Sequence, residues 1–355
     1  MKLAINGFGR IGRSALKIAL ENPQIEIVAI NDLTDAKTLA HLLQYDTAYG
    51  IYSQQVESQE NNLIIAGKTI PVYAIKEPET LPWKDLQVDV VLECTGRFVE
   101  SDKAGLHIKA GAKKVVISAP SKGENAAPTY VLGVNDQDYK GEAVINNASC
   151  TTNCIAPVMK VLQEKFGVKK AILDTIHAYT HDQNIQDGPH KDLRRARAAA
   201  ANMVPTSTGA AIAATEVIPA LKGKFDGTSI RVPVLVGSIS DITVVLEKPA
   251  TVEEINNAFI EASKTDQLKD ILTTTREPIV SSDIVGNPAS SIVDLAMTQV
   301  VDGDLVKVFA WYDNEWGYSN RLVEIAAKIA QYQSTDNKPV DLSAKTSIIP
   351  PKPIV

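Results

Sequence analysis

Cysteine, histidine and arginine are the residues here whose types and spacing could do chemistry, and Cys150 is the first of them. It stands in Asn146-Asn147-Ala148-Ser149-Cys150-Thr151-Thr152-Asn153-Cys154, between the end of a short strand and the start of a helical stretch. At a helix N-terminus the unpaired N–H groups and the macrodipole favour thiolate over thiol, and the same N–H groups can hold an oxyanion. Such a thiolate is a covalent nucleophile, and it needs a base. The chain offers five histidines. His177 ends an alternating stretch, Asp174-Thr175-Ile176, close after Cys150 in the chain. His181 follows four residues later, and the residues alone do not choose between them. Cys154 falls one helical turn beyond Cys150, and Cys94 ends an apolar strand; both read as buried side chains.

A second chemistry lies at the beginning. Gly7-Phe8-Gly9-Arg10-Ile11-Gly12 follows the strand Leu3-Ala4-Ile5 and opens a helix over 11–21. Strand, glycine turn and helix bring backbone N–H groups and the positive helix end to a pyrophosphate. The next strand, 25–30, runs into Asn31-Asp32, where a carboxylate meets the ribose hydroxyls of a dinucleotide. Asp32 repels an extra ribose phosphate, and no basic residue follows it until Lys37, so NAD is favoured over NADP.

These groups need elements to position them. The first half alternates β-branched runs with helices, predicting strands over 88–93, 114–118 and 144–146 in a doubly wound, Rossmann-type parallel sheet. Beyond Cys150 the pattern changes. A helix is expected over 151–166, and strands over 171–173, 175–177, 229–234 and 239–246, in an α+β domain with a mixed, largely antiparallel sheet. The long irregular stretch 179–205 has the length of a functional segment. The expected division is a dinucleotide domain over 1–149, a catalytic domain over 150–314, and a helix over about 315–332 that returns to the first domain. The stretch 333–355, with four prolines, is expected to be a tail.

Composition excludes other classes. With 45% hydrophobic and 22% charged residues the chain reads as globular, and its formal net charge of -6 argues against nucleic-acid binding. No apolar run reaches the roughly 20 residues of a membrane span. The first residues run straight into a strand, leaving no room for a signal peptide. Three cysteines without a disulfide or metal-site spacing fit the cytoplasm and no metal.

Six separated motifs resemble the phosphorylating glyceraldehyde-3-phosphate dehydrogenase family: the run from Asn6 to Arg13, Ala148-Ser149-Cys150-Thr151-Thr152-Asn153, Asp192-Leu193-Arg194-Arg195-Ala196-Arg197, Pro205-Thr206-Ser207-Thr208-Gly209-Ala210, Arg231-Val232-Pro233 and Trp311-Tyr312-Asp313-Asn314-Glu315. The resemblance implies an NAD-dependent phosphorylating aldehyde dehydrogenase of glycolysis. Cys150 would attack glyceraldehyde 3-phosphate and His177 would act as base. A hydride would pass to NAD, leaving a thioester that inorganic phosphate releases as 1,3-bisphosphoglycerate. It further implies that Thr180 and Arg231 bind the substrate phosphate, and that Ser149, Thr151, Arg195, Thr208 and Gly209 serve the attacking phosphate. Gly7, Gly9, Arg10, Ile11, Gly12, Asp32 and Lys76 would hold the cofactor, with Ser118 and Asn314 on its nicotinamide side. A homotetramer is also implied. Erythrose-4-phosphate dehydrogenases, a related group, lack the Thr-Gly phosphate turn and the Tyr-Thr pair that this chain keeps in Thr208-Gly209 and Tyr179-Thr180. A non-catalytic NAD-binding interaction protein would be expected to have lost Cys150, His177 or a phosphate arginine.

Overall fold

The computed structural model describes residues 1–332, so the proline-rich stretch 333–355 lies outside the described residues. Two compact units divide the chain. The first comprises Met1–Pro128, Asp138–Asn147 and the stretch beginning at Leu322; the second comprises Thr129–Gln137 and Ala148–Arg321.

In the first unit, six parallel strands run in the spatial order Val144–Asn146, Lys114–Ile117, Val90–Glu93, Lys2–Asn6, Glu26–Asn31 and Lys68–Tyr73. Numbered along the chain from Lys2–Asn6, that is 6-5-4-1-2-3, the doubly wound order of a dinucleotide-binding sheet. Leu3, Ala4, Ile5, Val90, Val91 and Leu92 are wholly buried. A strand covered on both faces must be a continuous apolar run, and these runs are what the sequence displays. The antiparallel strands Asn62–Ile65 and Val56–Gln59 extend the sheet beyond Lys68–Tyr73. The strand expected over 88–93 begins at Val90, because Asp89 turns its carboxylate to the Lys2 N–H at 2.7 Å and to Lys113 Nζ at 2.8 Å.

The second unit is built on a mixed sheet in the order Val204–Ser207, Phe225–Val232, Val168–Ala178, Ser238–Leu246, Leu305–Tyr312, Ser291–Asp294 and Leu272–Thr275. Most neighbours pair antiparallel; Val168–Ala178 with Phe225–Val232, and Leu272–Thr275 with Ser291–Asp294, are parallel. The helix Cys150–Phe166 packs in the core with Leu173, Ile242, Val244, Val308 and Phe259. The two strands expected over 171–177 are one, Val168–Ala178, whose alternation buries Leu173, Thr175 and His177 on one face. The last helix, Trp316–Gln331, falls within the stretch 315–332 expected to be helical. Among the described residues no helix is long and apolar enough to cross a membrane.

Candidate active site and cofactor cleft

Cys150 is the first residue of the helix Cys150–Phe166, and a sharp turn aims it. Ala148 has φ 53°, in the left-handed region that costs a non-glycine residue about 1 kcal/mol. Its carbonyl is held by the Tyr318 hydroxyl at 3.1 Å. Ser149 caps the helix, its hydroxyl accepting the Thr152 N–H at 3.0 Å.

His177 comes to Cys150 through the sheet. The strand period puts it on the buried face with Thr175, and Cys150 Sγ lies 3.4 Å from its Nε2. His177 Nδ1 is 2.6 Å from the Ala178 carbonyl, so Nδ1 carries the proton and Nε2 keeps its lone pair for the thiol. Burial, and then the Arg231 charge, push His177 down to about 3. Burial also raises the Cys150 thiol, against the lowering effects of Arg231 and of hydrogen bonds from Thr151. The pair therefore rests as thiol and neutral imidazole, whereas the helix-start position alone predicted a thiolate. Desolvation outweighs the helix end here, and Nε2 stands where it can accept the thiol proton. His181 has no such contact with Cys150: of the two histidines left open by the sequence, the structure pairs His177 with the thiol.

Parallel register places Arg231 directly beside His177. Arg231 Nη1 donates to the Thr180 hydroxyl at 3.0 Å and to the Ala178 carbonyl at 3.2 Å, while its buried Nε has no hydrogen-bond partner. A half-buried guanidinium with an unused N–H calls for an anion. Arg195 is gathered nearby: its Nε donates to Thr206 Oγ1 at 2.9 Å and its Nη1 pairs with Asp182, which also accepts from the Thr180 hydroxyl. Asp182 thus ties Thr180 to Arg195, a link the sequence reading missed although the acid stands two residues after Thr180. Thr208 and Gly209 precede the helix Ala210–Val217, and a Cβ added at Gly209 would meet nothing within 4 Å, so the chain leaves open space there. The Thr151 hydroxyl points elsewhere. It meets the Tyr312 hydroxyl at 2.9 Å, which also meets Thr175 Oγ1 at 2.9 Å, in a buried row beside Cys150.

Two further cysteines behave differently. Burial, the first cause in each, pushes Cys94 and Cys154 up to about 12. Cys154 is fully buried, but Cys94, expected to be buried, is partly exposed on a cleft wall in the first unit.

That cleft, of about 340 Å3, lies over the C-terminal ends of the parallel strands and is lined by Gly7, Gly9, Asp32, Lys76, Thr95 and neighbouring residues. Each glycine answers a separate demand. Gly7 has φ +92° and starts the turn; a Cβ on Gly12 would stand 2.2 Å from the Gly7 carbonyl; a Cβ on Gly9 would project into open space. Turn, close packing and an open approach are the three requirements of a pyrophosphate site. Gly9 caps the helix Arg10–Glu21 without a side-chain bond, leaving the first-turn N–H groups to an anion. Asp32 is fixed by the N–H groups of Phe8, at 2.7 Å, and Thr34, at 2.9 Å. These residues fit an NAD molecule. Arg10 pairs with Asp46 at 2.5 Å, and Ile11 is partly buried in the first helical turn. Ser118 lies in the same unit, with its N–H on the Glu93 carbonyl at 3.0 Å. Asn314 belongs to the second unit, where Gly237 N–H and the Ser238 hydroxyl, each at 3.0 Å, fix its Oδ1 and so the direction of its amide. Among the described residues no acid, histidine and cysteine cluster is arranged to hold a metal.

Comparison with known proteins agrees with both parts. Residues 1–101 match the family model described as the NAD binding domain of glyceraldehyde 3-phosphate dehydrogenase, and residues 149–314 match that of its C-terminal domain. The chain is 54% identical over 328 residues to glyceraldehyde-3-phosphate dehydrogenase 1 of Bacillus cereus, covering 92% of this chain and 97% of that one. It is 55% identical to the glyceraldehyde-3-phosphate dehydrogenase of Borreliella burgdorferi, covering 93% and 100%, and 53% identical to that of Geobacillus stearothermophilus, covering 93% and 98%. A helix-start thiol paired with a histidine, a glycine turn shaped for a dinucleotide and this likeness along nearly the whole length lead to one assignment: the chain belongs to the glyceraldehyde-3-phosphate dehydrogenase family.

Proposed function

We propose that the chain oxidises glyceraldehyde 3-phosphate to 1,3-bisphosphoglycerate in glycolysis, with NAD as cofactor, Cys150 as nucleophile and His177 as base. The observation that carries this reading is the 3.4 Å approach of Cys150 Sγ to His177 Nε2, at a helix start and beside a half-buried arginine. His177 Nε2 takes the thiol proton as sulfur bonds to the aldehyde carbon, gives it to the hemithioacetal oxygen, and takes it back as the hydride leaves that carbon. NAD, when bound, supplies the acceptor for the hydride. Cys150 then holds the acyl group as a thioester. Arg195, Ser149, Thr208 and Gly209, with the first-turn N–H of Thr151 rather than its hydroxyl, are the residues to bring inorganic phosphate to its carbonyl carbon; attack there expels the Cys150 thiolate and leaves an acyl phosphate. Arg231 and Thr180 hold the substrate's own phosphate, which supports choosing a phosphorylated aldehyde. Gly7, Gly9, Arg10, Ile11, Gly12, Asp32 and Lys76 hold NAD in the domain 1–149, with Ser118 and Asn314 toward its nicotinamide; the domain 150–314 carries the chemistry.

Assembly as a homotetramer belongs to the same reading. Exposed Ile172, Ile185, Leu193, Met203 and Ile212 in the second unit support self-association, since such apolar groups gain by leaving water. Cysteines without a disulfide support a cytoplasmic location.

Initial rates with glyceraldehyde 3-phosphate and with erythrose 4-phosphate, each with NAD or NADP and with or without inorganic phosphate, test the function. The expected result is preference for glyceraldehyde 3-phosphate and NAD. Without phosphate, reduction should stop after one acylation per subunit. Full turnover without phosphate would replace this reading with a hydrolytic one.

Arg231→Ala is expected to raise KM for the phosphorylated aldehyde roughly 10- to 100-fold, the worth of charge-assisted hydrogen bonds, with a smaller change in kcat. Steady-state kinetics at saturating NAD and phosphate check this, and an unchanged KM would remove Arg231 from the substrate site.

A further inference from the structure

Two ionisable side chains without a part in this chemistry lie inside the first unit. Glu93, the last residue of its strand, is 1% exposed and His107 is 0% exposed. A buried carboxylate costs several kcal/mol unless donors surround it, and here they do. Glu93 Oε1 accepts from the Thr95 N–H at 2.8 Å and from the Thr95 hydroxyl. Its Oε2 accepts from Asn6 Nδ2 at 2.5 Å and faces His107 Nε2 at 3.1 Å. The indole N–H of Trp83, which can only donate, lies 2.9 Å from His107 Nδ1. Nδ1 therefore accepts, and the ring proton sits on Nε2, directed at Glu93. Beyond Asn6 the row continues: Asn6 Oδ1 accepts from Asn31 Nδ2 at 2.7 Å, and Asn31 Oδ1 accepts from the Ile75 N–H at 3.0 Å.

One row of hydrogen bonds thus crosses the C-terminal ends of three adjacent parallel strands, beneath the cleft that Asn6, Asn31 and Thr95 line. Its effect falls on Thr95. Gly7 passes so near that a Cβ there would stand 2.6 Å from Thr95 N. Glu93 draws the Thr95 N–H inward and fixes the 94–96 turn, in which Gly96 has φ +69°, against the glycine turn. We propose that Trp83, His107 and Glu93 form a positioning relay that holds the Thr95 wall against the Gly7 turn and so sets the affinity of the cleft for NAD. The relay rests on the assignment of NAD to this cleft. His107 is its positioning residue, since the imidazole joins the indole donor to the carboxylate and its tautomer is set by the one to suit the other.

Direct titration of the full chain with NAD, alongside steady-state kinetics and melting, tests the relay in His107→Leu, His107→Gln and Trp83→Phe. His107→Leu is expected to raise the Kd for NAD about tenfold, leaving kcat at saturating NAD and KM for the aldehyde within about twofold. His107→Gln, whose amide can donate to Glu93 and accept from Trp83, is expected to return the Kd to within about threefold of wild type. An unchanged Kd in His107→Leu would overturn the relay. So would a loss shared equally by NAD binding, aldehyde KM and melting temperature with no rescue by glutamine, which is the mark of simple core packing. If His107→Leu does not fold, Trp83→Phe keeps a ring and deletes the N–H; a Kd raised about threefold is expected, and an unchanged one overturns the proposal. A wild-type chain that does not bind NAD would remove the cleft's assignment, and the relay with it, and is distinguished by its failure before any substitution is made.

Discussion

Cys150→Ser is expected to lower turnover of the phosphorylated aldehyde by roughly 10,000-fold or more, the scale seen when a covalent nucleophile is removed. The loss follows from the base as much as from the sulfur. His177, pushed down to about 3 by burial and Arg231, is a weak proton acceptor. It can take a proton from a thiol 3.4 Å away as the carbon–sulfur bond forms. A serine hydroxyl gives up its proton far less readily, and its alkoxide has no equal stabilisation at this helix start. NAD binding is expected to stay within about twofold, since the glycine turn and Asp32 belong to the first unit and Cys150 to the second. Absorbance of the reduced cofactor gives the rate, and a separate titration gives the Kd. Near-normal turnover would end the assignment of Cys150 as nucleophile; lost NAD binding would show that the substitution had disturbed more than the sulfur.

Much of the site was legible where its logic is local. The three glycines of 7–12 have conformational and steric duties that the spacing itself states, and the structure gives each one a separate cause. The helix start at Cys150 was readable from Ser149 and the strand before it. Pairings across the sheet were not. His177 and Arg231 meet because two parallel strands, 54 residues apart in sequence, set them side by side. No periodicity encodes that register, and so His177 and His181 stood equal until the family resemblance favoured one. The Thr151 hydroxyl was read toward phosphate but finds Tyr312, 161 residues away, because burial at the second helical position leaves it no water to face. Elements without a clear apolar period were also missed. Ala210–Val217 is a short alanine-rich helix buried on most sides, and Val56–Gln59 alternates half-buried and exposed polar residues like a loop. The Trp83–His107–Glu93 row escaped for a further reason: Glu93 ends an apolar strand, and nothing in its neighbours announces a charge with four donors around it.

His177→Asn separates proton transfer from the other duties of the site. It is expected to lower kcat by roughly 100- to 10,000-fold, the range for loss of a positioned general base, with the KM for NAD little changed. Thiol chemistry gives an independent reading. Because burial raises the Cys150 thiol from its ordinary value, the rate of its alkylation by iodoacetamide should climb with pH through neutrality into the alkaline range. At neutral pH the wild-type thiol can pass its proton to Nε2, and the asparagine variant cannot. The variant should therefore fall furthest behind at pH 7 and approach wild type only at strongly alkaline pH, where hydroxide does the work of the base. The sign is fixed by the chemistry: removing a proton acceptor costs most where the thiol is still protonated. Equal alkylation at all pH values would mean that His177 does not assist the thiol, and its 3.4 Å approach would then be packing alone. A deficit that stayed constant from pH 7 to pH 10 would point to a displaced Cys150, and the Arg231–His177 contact at 3.1 Å would be the first place to look for the disturbance.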